Sequence, residues 1–177
     1  EIFFTSGGTE SNNLAIAGAA EATRGRHIIT TPIEHPATLN TLASLEDKGY
    51  TVEFIPVDRD GRVIVSELEE MITPDTVLVT AMLVNNEIGS LQPIQKMAKV
   101  IKNRNPKTLF HIDAVQGFCK VPFTVTELGA DMLSISGHKI HGPKGVGALY
   151  IKKGTRLSPI IFGGGQQNGM RPGTENV

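Results

Sequence analysis

The sequence predicts an α/β domain whose sheet is mostly parallel, carries helices on both faces and ends in an antiparallel strand. β-rich runs alternate with helix-like segments, which is typical of parallel strands joined by helices. The runs are almost continuously apolar, as burial on both faces of a sheet requires. Too few residues separate the last two runs, 132–136 and 146–151, for a parallel crossover, so we expect this pair to be antiparallel.

Each predicted element follows from a local pattern in chain order. EIFFT leads to a helix at about residues 10–23, HIITT to one at 37–48, and TVEFIPV to a short one at 66–71. TVLVTAML precedes a helix at about 94–103, and TLFHID precedes a short helical stretch near Val115. DMLSIS and GVGALYI are the last two strands. Ligands of such sheets bind at the carboxyl ends of the strands, so functional residues are expected there.

Composition argues against several classes of function. The chain of 177 residues is long enough for one domain with a real core. A net charge of −1 with 20% charged residues predicts no nucleic-acid partner. No run is apolar enough for a membrane span, and no metal site is predicted. The single cysteine, Cys119, fits a reducing compartment, so we expect a cytoplasmic protein.

The segment TSGGTESNN places two glycines between a strand and a helix. Gly7 and Gly8 permit close backbone approach, and the following helix start at Thr9 and Glu10 offers free N–H groups to a phosphate. A tight turn with an ordinary N-cap is an equally good interpretation of this segment alone. The dinucleotide pattern G-x-G-x-x-G is absent.

Polar residues also follow the second and fourth strands. His35 precedes a helix in IEHPAT, and its ring is able to stack on a flat ligand or move protons, although a structural histidine is the commoner case. In LVNNEIGS, the side chain of Asn86 is placed to donate to a substrate carboxylate. Asx-turn chemistry explains the same loop equally well.

Asp113 ends a strongly apolar strand in FHIDAVQ. A carboxylate in that position is costly unless it is paired or faces a ligand cation, although a helix N-cap is a serious alternative. Gln116, three residues later, points the same way if the chain turns helical.

Lys139 lies on a short turn between two buried runs in SISGHKIHGPKG, next to Ser136 and His138. The spacing of Gly137 and Gly142 resembles half of a phosphate-binding P-loop, but the lysine that should follow the second glycine is replaced by a proline. A lysine held out of water near other cations is a nucleophile toward aldehydes, whereas a solvated turn lysine is the ordinary alternative.

Together these residues meet the requirements of pyridoxal phosphate. The cofactor has a phosphate, a ring that stacks, a ring nitrogen that must stay protonated and an aldehyde that reacts with a lysine. The sequence offers a counterpart for each of these groups.

The same motifs identify a family. SGGTESNN, EHPATL, NNEIGSLQPI, HIDAVQG, SGHKIHGPKGVGALY and GGGQQNGMRPGTEN resemble, in order, the motifs of cysteine desulfurases of the NifS/IscS-like branch, within the class V aminotransferase group of fold-type I pyridoxal-phosphate enzymes. RPGTEN also resembles selenocysteine lyases.

The resemblance implies a role for each residue. Lys139 corresponds to the lysine that forms a Schiff base with the cofactor, and His35 to the histidine that stacks on its ring and serves in proton transfer. Asp113 corresponds to the partner of the ring nitrogen and Gln116 to that of the phenolic oxygen. Phosphate ligands are implied at Thr9, Ser136 and His138, and Gly8 is also predicted to bind the cofactor. A contact with substrate is implied at Asn86, and a contact with the partner subunit's cofactor at Thr174.

The resemblance also marks what this chain lacks. The family's sulfur-accepting cysteine and its carboxylate-binding arginine lie beyond the GTEN segment. Cys119 does not correspond to that cysteine and is expected to be a small buried thiol packed in a helix. We therefore expect residues 1–177 to be most of the large cofactor-binding domain of a longer chain, without the small domain and inactive by themselves.

The predicted function is conversion of L-cysteine to L-alanine, with the sulfur left as an enzyme persulfide for an acceptor scaffold protein in iron–sulfur cluster or thio-cofactor synthesis. A homodimer is implied. Alternatives are a selenocysteine lyase or class V aminotransferase on the same scaffold, and a non-catalytic scaffold that keeps the fold. A nucleotide-binding domain is disfavoured because both phosphate fingerprints are missing.

Overall fold

A computed structural model of the chain describes residues 1–175, in which seven strands form a single sheet. The strands are β1 (Ile2–Thr5), β2 (His27–Thr30), β3 (Thr51–Phe54), β4 (Thr76–Met82), β5 (Leu109–Asp113), β6 (Met132–Ser136) and β7 (Gly147–Ile151). The helices are α1 (Gly8–Glu21), α2 (Pro36–Glu46), α3 (Val65–Met71), α4 (Ile94–Arg104) and α5 (Val125–Leu128). Two 3-10 turns, Gly137–Ile140 and Gln166–Gly169, follow β6 and β7.

The sheet is mostly parallel, with strand order β1-β7-β6-β5-β4-β2-β3. Strands β2 to β6 pair in parallel, and β7 runs antiparallel to β6, which confirms the prediction for the last pair. β7 is not the edge strand, because β1 pairs with its other side and is also antiparallel to it.

Helices cover both faces of the sheet, as predicted. Neighbouring residues of a strand point to opposite faces, so Met132 packs into one core and Leu133 into the other. α1 and α2 cover the face of Met132, and α3, α4 and α5 cover the face of Leu133. All seven residues of β4 are buried, as expected for a central parallel strand.

The expectation of almost continuous apolar burial is wrong for the two edge strands. β3 is largely exposed, and β1 alternates between exposed and buried residues. An edge strand has only one neighbour and is incompletely covered, so it tolerates polar residues such as Thr51 and Glu53.

The four longer predicted helices are confirmed, with ends shifted by a few residues. The helical stretch predicted near Val115 is wrong, because residues 115–120 form successive turns in which Cys119 has a left-handed φ of 61°. Helix α5 was not predicted, although Thr124 and Glu127 form a capping box that marks its start.

Within the described part of the chain, no helix combines the length and the apolar character needed to cross a membrane.

Candidate active site

A cavity of about 340 Å³ opens at the carboxyl ends of the parallel strands. Nine of the ten residues predicted for the site line it, all except Thr174. The full lining consists of Gly8, Thr9, Asn12, His35, Met82, Val84, Asn86, Asp113, Val115, Gln116, Ser136, His138 and Lys139. The cavity therefore has the position that ligands occupy in open α/β sheets.

Lys139 lies in the tight turn that directly follows β6. Two backbone hydrogen bonds close this turn, from Gly142 N–H to Gly137 O and from Gly137 N–H to Val146 O, both 2.9 Å. A Cβ atom on residue 142 would lie 3.0 Å from Gly137 O, so the chain passes too close for a larger residue without adjustment. The turn thereby holds the half-buried Lys139 at the cavity wall.

The start of α1 forms another wall of the cavity. Gly7 caps this helix without a side-chain hydrogen bond, so the ordinary N-cap interpretation is not met. A Cβ atom on Gly8 would lie 2.8 Å from Val115 Cγ2, which explains glycine at this close approach. Nearby, Ser136 Oγ and His138 Nδ1 are hydrogen-bonded at 2.9 Å. Free helix N–H groups beside hydroxyl and imidazole groups suit an anion such as phosphate.

Asp113 presents a buried carboxylate to the same cavity, with 5% of the residue exposed. Its Oδ2 accepts from Asn12 Nδ2 at 2.7 Å, and its Oδ1 accepts from Val115 N–H at 2.9 Å. Burial raises the pKa of Asp113, while these two hydrogen bonds and the nearby His35 oppose the rise. Asp113 does not cap a helix, because its Oδ1 accepts from Val115 N–H within a turn. A ligand cation therefore remains the natural partner of the negative charge of Asp113.

Asn12 is a residue of the site that the sequence analysis missed. It is fully buried, donates to Asp113, and its Oδ1 has no hydrogen-bond partner among residues 1–175. The available signal was helical spacing, because position 12 lies one turn after Gly8 and faces the same way.

His35 combines the structural and the functional interpretation. Its Nδ1 accepts a hydrogen bond from Ala37 N–H at 3.1 Å and caps α2. In the neutral ring this bond assigns the proton to Nε2. The exposed ring also lines the cavity, where Nε2 is available to a ligand.

Each of the two asparagines after β4 fits one of the two interpretations of their loop, the Asx turn or the ligand contact. Asn85 is buried and provides the Asx-turn chemistry, with Oδ1 accepting from Glu87 N–H and Ile88 N–H at 2.9 Å. Asn86 is exposed and lines the cavity. Gln116 also lines the cavity, and its Oε1 accepts from Lys120 Nζ at 3.3 Å.

Thr174 lies in a second cavity, lined also by Thr5, Ser6 and Arg171. Arg171 fixes this segment to the first turn of α1 through Glu10, with Nε–Oε1 and Nη2–Oε2 distances of 2.7 and 3.2 Å. Thr174 is exposed and does not contribute to the cavity of its own chain that Lys139 lines.

Cys119 is exposed, which contradicts the expectation of a buried thiol in a helix. Cys119 has a left-handed φ of 61° within the turns formed by residues 115–120. We expect the native chain to react with Ellman's reagent to one thiol per chain, without denaturant, because exposure controls access to the sulfur. Reaction only after denaturation would contradict this placement, and Cys119→Ser serves as the blank.

The fold and the site together define a class of protein. An α/β sheet whose strand ends bring a lysine, a buried aspartate and an open helix N-terminus to one cavity is an enzyme-like architecture, with its ligand site at the carboxyl edge of the sheet. The chain belongs to the aminotransferase class-V family, whose model matches residues 1–175.

Curated relatives give a finer comparison. The chain is 52% identical to a cysteine desulfurase IscS of Dictyoglomus turgidum and 51% identical to one of Methanosarcina thermophila, in each case along all of this chain. It covers 45% and 44% of these two proteins, so the chain spans about half the length of the curated relatives it matches.

Solved structures agree with this comparison. A NifS-like protein superimposes with a TM-score of 0.96 at 49% identity, over 99% of this chain and 49% of that one. SspA in complex with cysteine superimposes with a TM-score of 0.92 at 44% identity, over 98% of this chain and 51% of that one.

Proposed function

We propose that residues 1–177 form the cofactor-binding large domain of a cysteine desulfurase. The observation that carries the proposal is the meeting of Lys139, buried Asp113 and the open start of α1 at a single cavity. The names of the relatives favour a desulfurase over an aminotransferase or a selenocysteine lyase. A scaffold without cofactor has no need for a carboxylate buried at the cavity wall.

The residues present fit pyridoxal phosphate. Asp113 is a buried charge suited to a ring cation, Gly8 leaves the helix start open, and Lys139 supplies the amine for the aldehyde. We assign Gln116 to the phenolic oxygen, and Thr9, Ser136 and His138 to the phosphate, because all four residues line the cavity. When bound, the cofactor supplies an electron sink for the bond that breaks at the substrate carbon.

The remaining steps belong to this chain's own side chains. His35 Nε2 and Lys139 Nζ are the groups we assign to accept and return the proton of the substrate carbon. Asn86 is assigned to the substrate carboxylate. The apolar side chains of Met82 and Val84 line the same cavity and limit the water beside these groups.

We further propose that the active form is a homodimer in which Thr174 reaches the partner's cofactor phosphate. Thr174 is exposed, and it lines the second cavity rather than the cavity that Lys139 lines, which supports this assignment. The substrate is then L-cysteine, and the sulfur passes to an acceptor protein. A cytoplasmic location agrees with the single exposed cysteine of the chain.

The decisive experiment is borohydride trapping of pyridoxal phosphate followed by peptide mapping. We expect the chain to develop a visible absorption band with the cofactor and to carry the reduced label on Lys139. Lys139→Ala is expected to lose the label, whereas Lys144→Ala, which alters an exposed lysine of the same loop, is expected to keep it. A label spread over surface lysines, or none at all, would contradict the assignment.

A second arm tests the substrate class. After free cofactor is removed, S-methyl-L-cysteine, whose capped sulfur cannot close a ring on the cofactor aldehyde, is expected to protect Lys139 from labelling at lower concentration than L-glutamate, because a desulfurase binds cysteine in preference to an amino donor. Equal or better protection by L-glutamate would favour an aminotransferase.

A further inference from the structure

Glu34 is a buried carboxyl group next to the site that the proposed reaction does not use. It lies between Ile33 and His35 in the loop after β2, and only 5% of the residue is exposed. Buried carboxyl groups are rare unless they are paired or neutral, so its presence here requires an explanation.

Its contacts tie the loop that carries His35 to the end of β4. Glu34 Oε1 accepts from Thr31 Oγ1 at 2.6 Å and from Met82 N–H at 2.9 Å. A parallel tie joins the same segments, because Asn85 Nδ2 donates to Ile33 O at 2.9 Å.

The hydrogen bonds of Glu34 also connect it, through Met82, to Asp113. Met82 pairs with Asp113 across β4 and β5, so the group held by Glu34 is adjacent in the sheet to that residue. Glu34 thus connects the loop of the predicted stacking histidine with the strand pair that positions Asp113.

The bonding pattern of Glu34 is that of a neutral acid. Both donors bond to Oε1, while Oε2 has no partner among the described residues. The carbonyl oxygen of a neutral acid accepts two hydrogen bonds, and the unpartnered hydroxyl that remains on Oε2 costs less than the unpartnered, partly charged oxygen of an ionised group. The charges that bear on this region are the negative Asp113 and, when protonated, His35.

The electrostatics agree with this geometry. Burial raises the pKa of Glu34 to about 8, the bonds from Thr31 and Met82 oppose the rise, and the nearby negative Asp113 adds to it. A second negative charge beside Asp113 is thereby avoided at neutral pH.

We propose that Glu34 is a positioning residue that, as a neutral acid, fixes His35 relative to Asp113 and so shapes the cavity for its cofactor. The proposal rests on the proposed function, because it assumes that these two residues hold the cofactor. It assigns the carboxyl group a structural task at the site and no contact with the reacting atoms.

The test compares two substitutions of similar volume. Glu34→Gln keeps an oxygen acceptor for Thr31 and Met82, and Glu34→Leu removes it. We expect Glu34→Leu to weaken the affinity for pyridoxal phosphate at pH 7 by about 10-fold or more, as the loss of a buried acceptor implies. Glu34→Gln is expected to stay within about 2-fold of wild type. Glu46→Gln, an exposed change on α2, is the matched control.

A local readout separates positioning from general destabilisation. In carbon–proton NMR spectra, the imidazole signals of His35 are expected to shift in Glu34→Leu and to stay in place in Glu34→Gln. The signals of His27, which lies at the start of β2, are expected to remain unchanged in both variants. His35→Gln identifies the relevant signals.

Each outcome decides the proposal. Equal impairment by Gln and Leu would show that an ionised carboxylate is needed and would overturn the neutral-acid assignment. Wild-type affinity in Glu34→Leu would overturn the positioning role, and if that variant fails to fold, the affinity and NMR spectrum of Glu34→Gln still decide. Failure of the wild-type chain to bind the cofactor would instead contradict the proposed function.

Discussion

Replacing Asp113 with asparagine is expected to raise the unfolding temperature of the cofactor-free chain and to weaken its affinity for pyridoxal phosphate. The two effects have one cause, since Asp113 is a buried charge whose natural partner is a ligand cation. Without the ligand, the folded chain pays the desolvation of that charge. With the ligand, the charge is compensated.

The sign of the stability change follows from proton linkage. Because burial raises the pKa of Asp113 in the folded chain, its contribution to stability is complete below the ordinary aspartate pKa and is lost as pH rises through the folded value. Asparagine does not titrate, so the variant is expected to gain over wild type above pH ~4. A gain of 1 kcal/mol corresponds to about 2–4 °C in a chain of this size.

The hydrogen bonds of residue 113 survive the substitution. Asparagine Oδ1 still accepts from Val115 N–H, while its new amide group faces Asn12. Asn12 has an unpartnered Oδ1, so a flip of its amide turns a donor–donor conflict into a hydrogen bond. The substitution therefore causes no loss of hydrogen bonds that would offset the stability gained by removing the buried charge.

The affinity for pyridoxal phosphate should fall, although the stability of the cofactor-free chain rises. Removing one member of a buried charge pair costs about 2–5 kcal/mol, so the affinity for pyridoxal phosphate is expected to fall by about 30-fold or more. Thermal unfolding with and without cofactor, alongside a titration followed by visible absorption, checks both signs. If the variant binds the cofactor as well as wild type, Asp113 does not contact the cofactor. A lower unfolding temperature of the cofactor-free variant would contradict the desolvation argument.

Much of the site was predictable because chain order and sheet topology constrain it together. Asp113 is the last residue of the buried parallel strand β5, and Lys139 lies in the tight turn after β6. The two strands run parallel and therefore end at the same edge of the sheet. Any chemistry-bearing residue after such strands is a candidate, and nine of the predicted residues line one cavity.

The residues that were missed act through other side chains. Asn12 and Glu34 stand beside the motif residues Thr9 and His35, but their importance lies in contacts 101 and 48 residues away along the chain, with Asp113 and Met82. Local pattern carries no information about such pairs. The exposure of Cys119 was missed for a related reason, because a left-handed residue inside a helix-like run depends on how the surrounding turns pack.

A second buried group, His111 at the centre of the sheet, is expected to control stability in acid. It lies on β5 between its neighbours, with Nδ1 2.8 Å from Thr80 Oγ1 on β4 and Nε2 2.8 Å from Ser134 Oγ on β6. The three side chains thus join three adjacent strands just below the level of Asp113. Hydroxyl groups donate or accept as needed, so the ring is satisfied in its neutral form.

Burial lowers the pKa of His111 to about 3, from an ordinary value of 6.5. The unfolded chain therefore binds a proton that the folded chain excludes between these two values. The stability contributed by neutral His111 is complete above pH 6.5 and is lost as pH falls toward 3. Over that range the loss amounts to roughly 5 kcal/mol, enough to unfold a marginally stable domain.

Glu34 acts in the opposite direction and limits stability in base. Its folded pKa of about 8 lies above the ordinary value of 4.5, so its contribution is complete below pH 4.5 and is lost as pH rises toward 8. These two groups alone place maximal stability between about pH 4.5 and 6.5, where neither contribution has been lost entirely.

His111→Gln and Glu34→Gln separate the two limbs, because glutamine is neutral at every pH and keeps a donor and an acceptor. We expect the stability advantage of wild type over His111→Gln, measured by urea unfolding at a series of pH values, to shrink steadily from pH 6.5 downward. In the same comparison with Glu34→Gln, we expect the stability of wild type relative to the variant to fall as pH rises from 4.5. A difference that is constant with pH in the first comparison would mean that His111 binds its proton equally well in the folded and the unfolded chain, and this would contradict the lowered pKa that its burial implies.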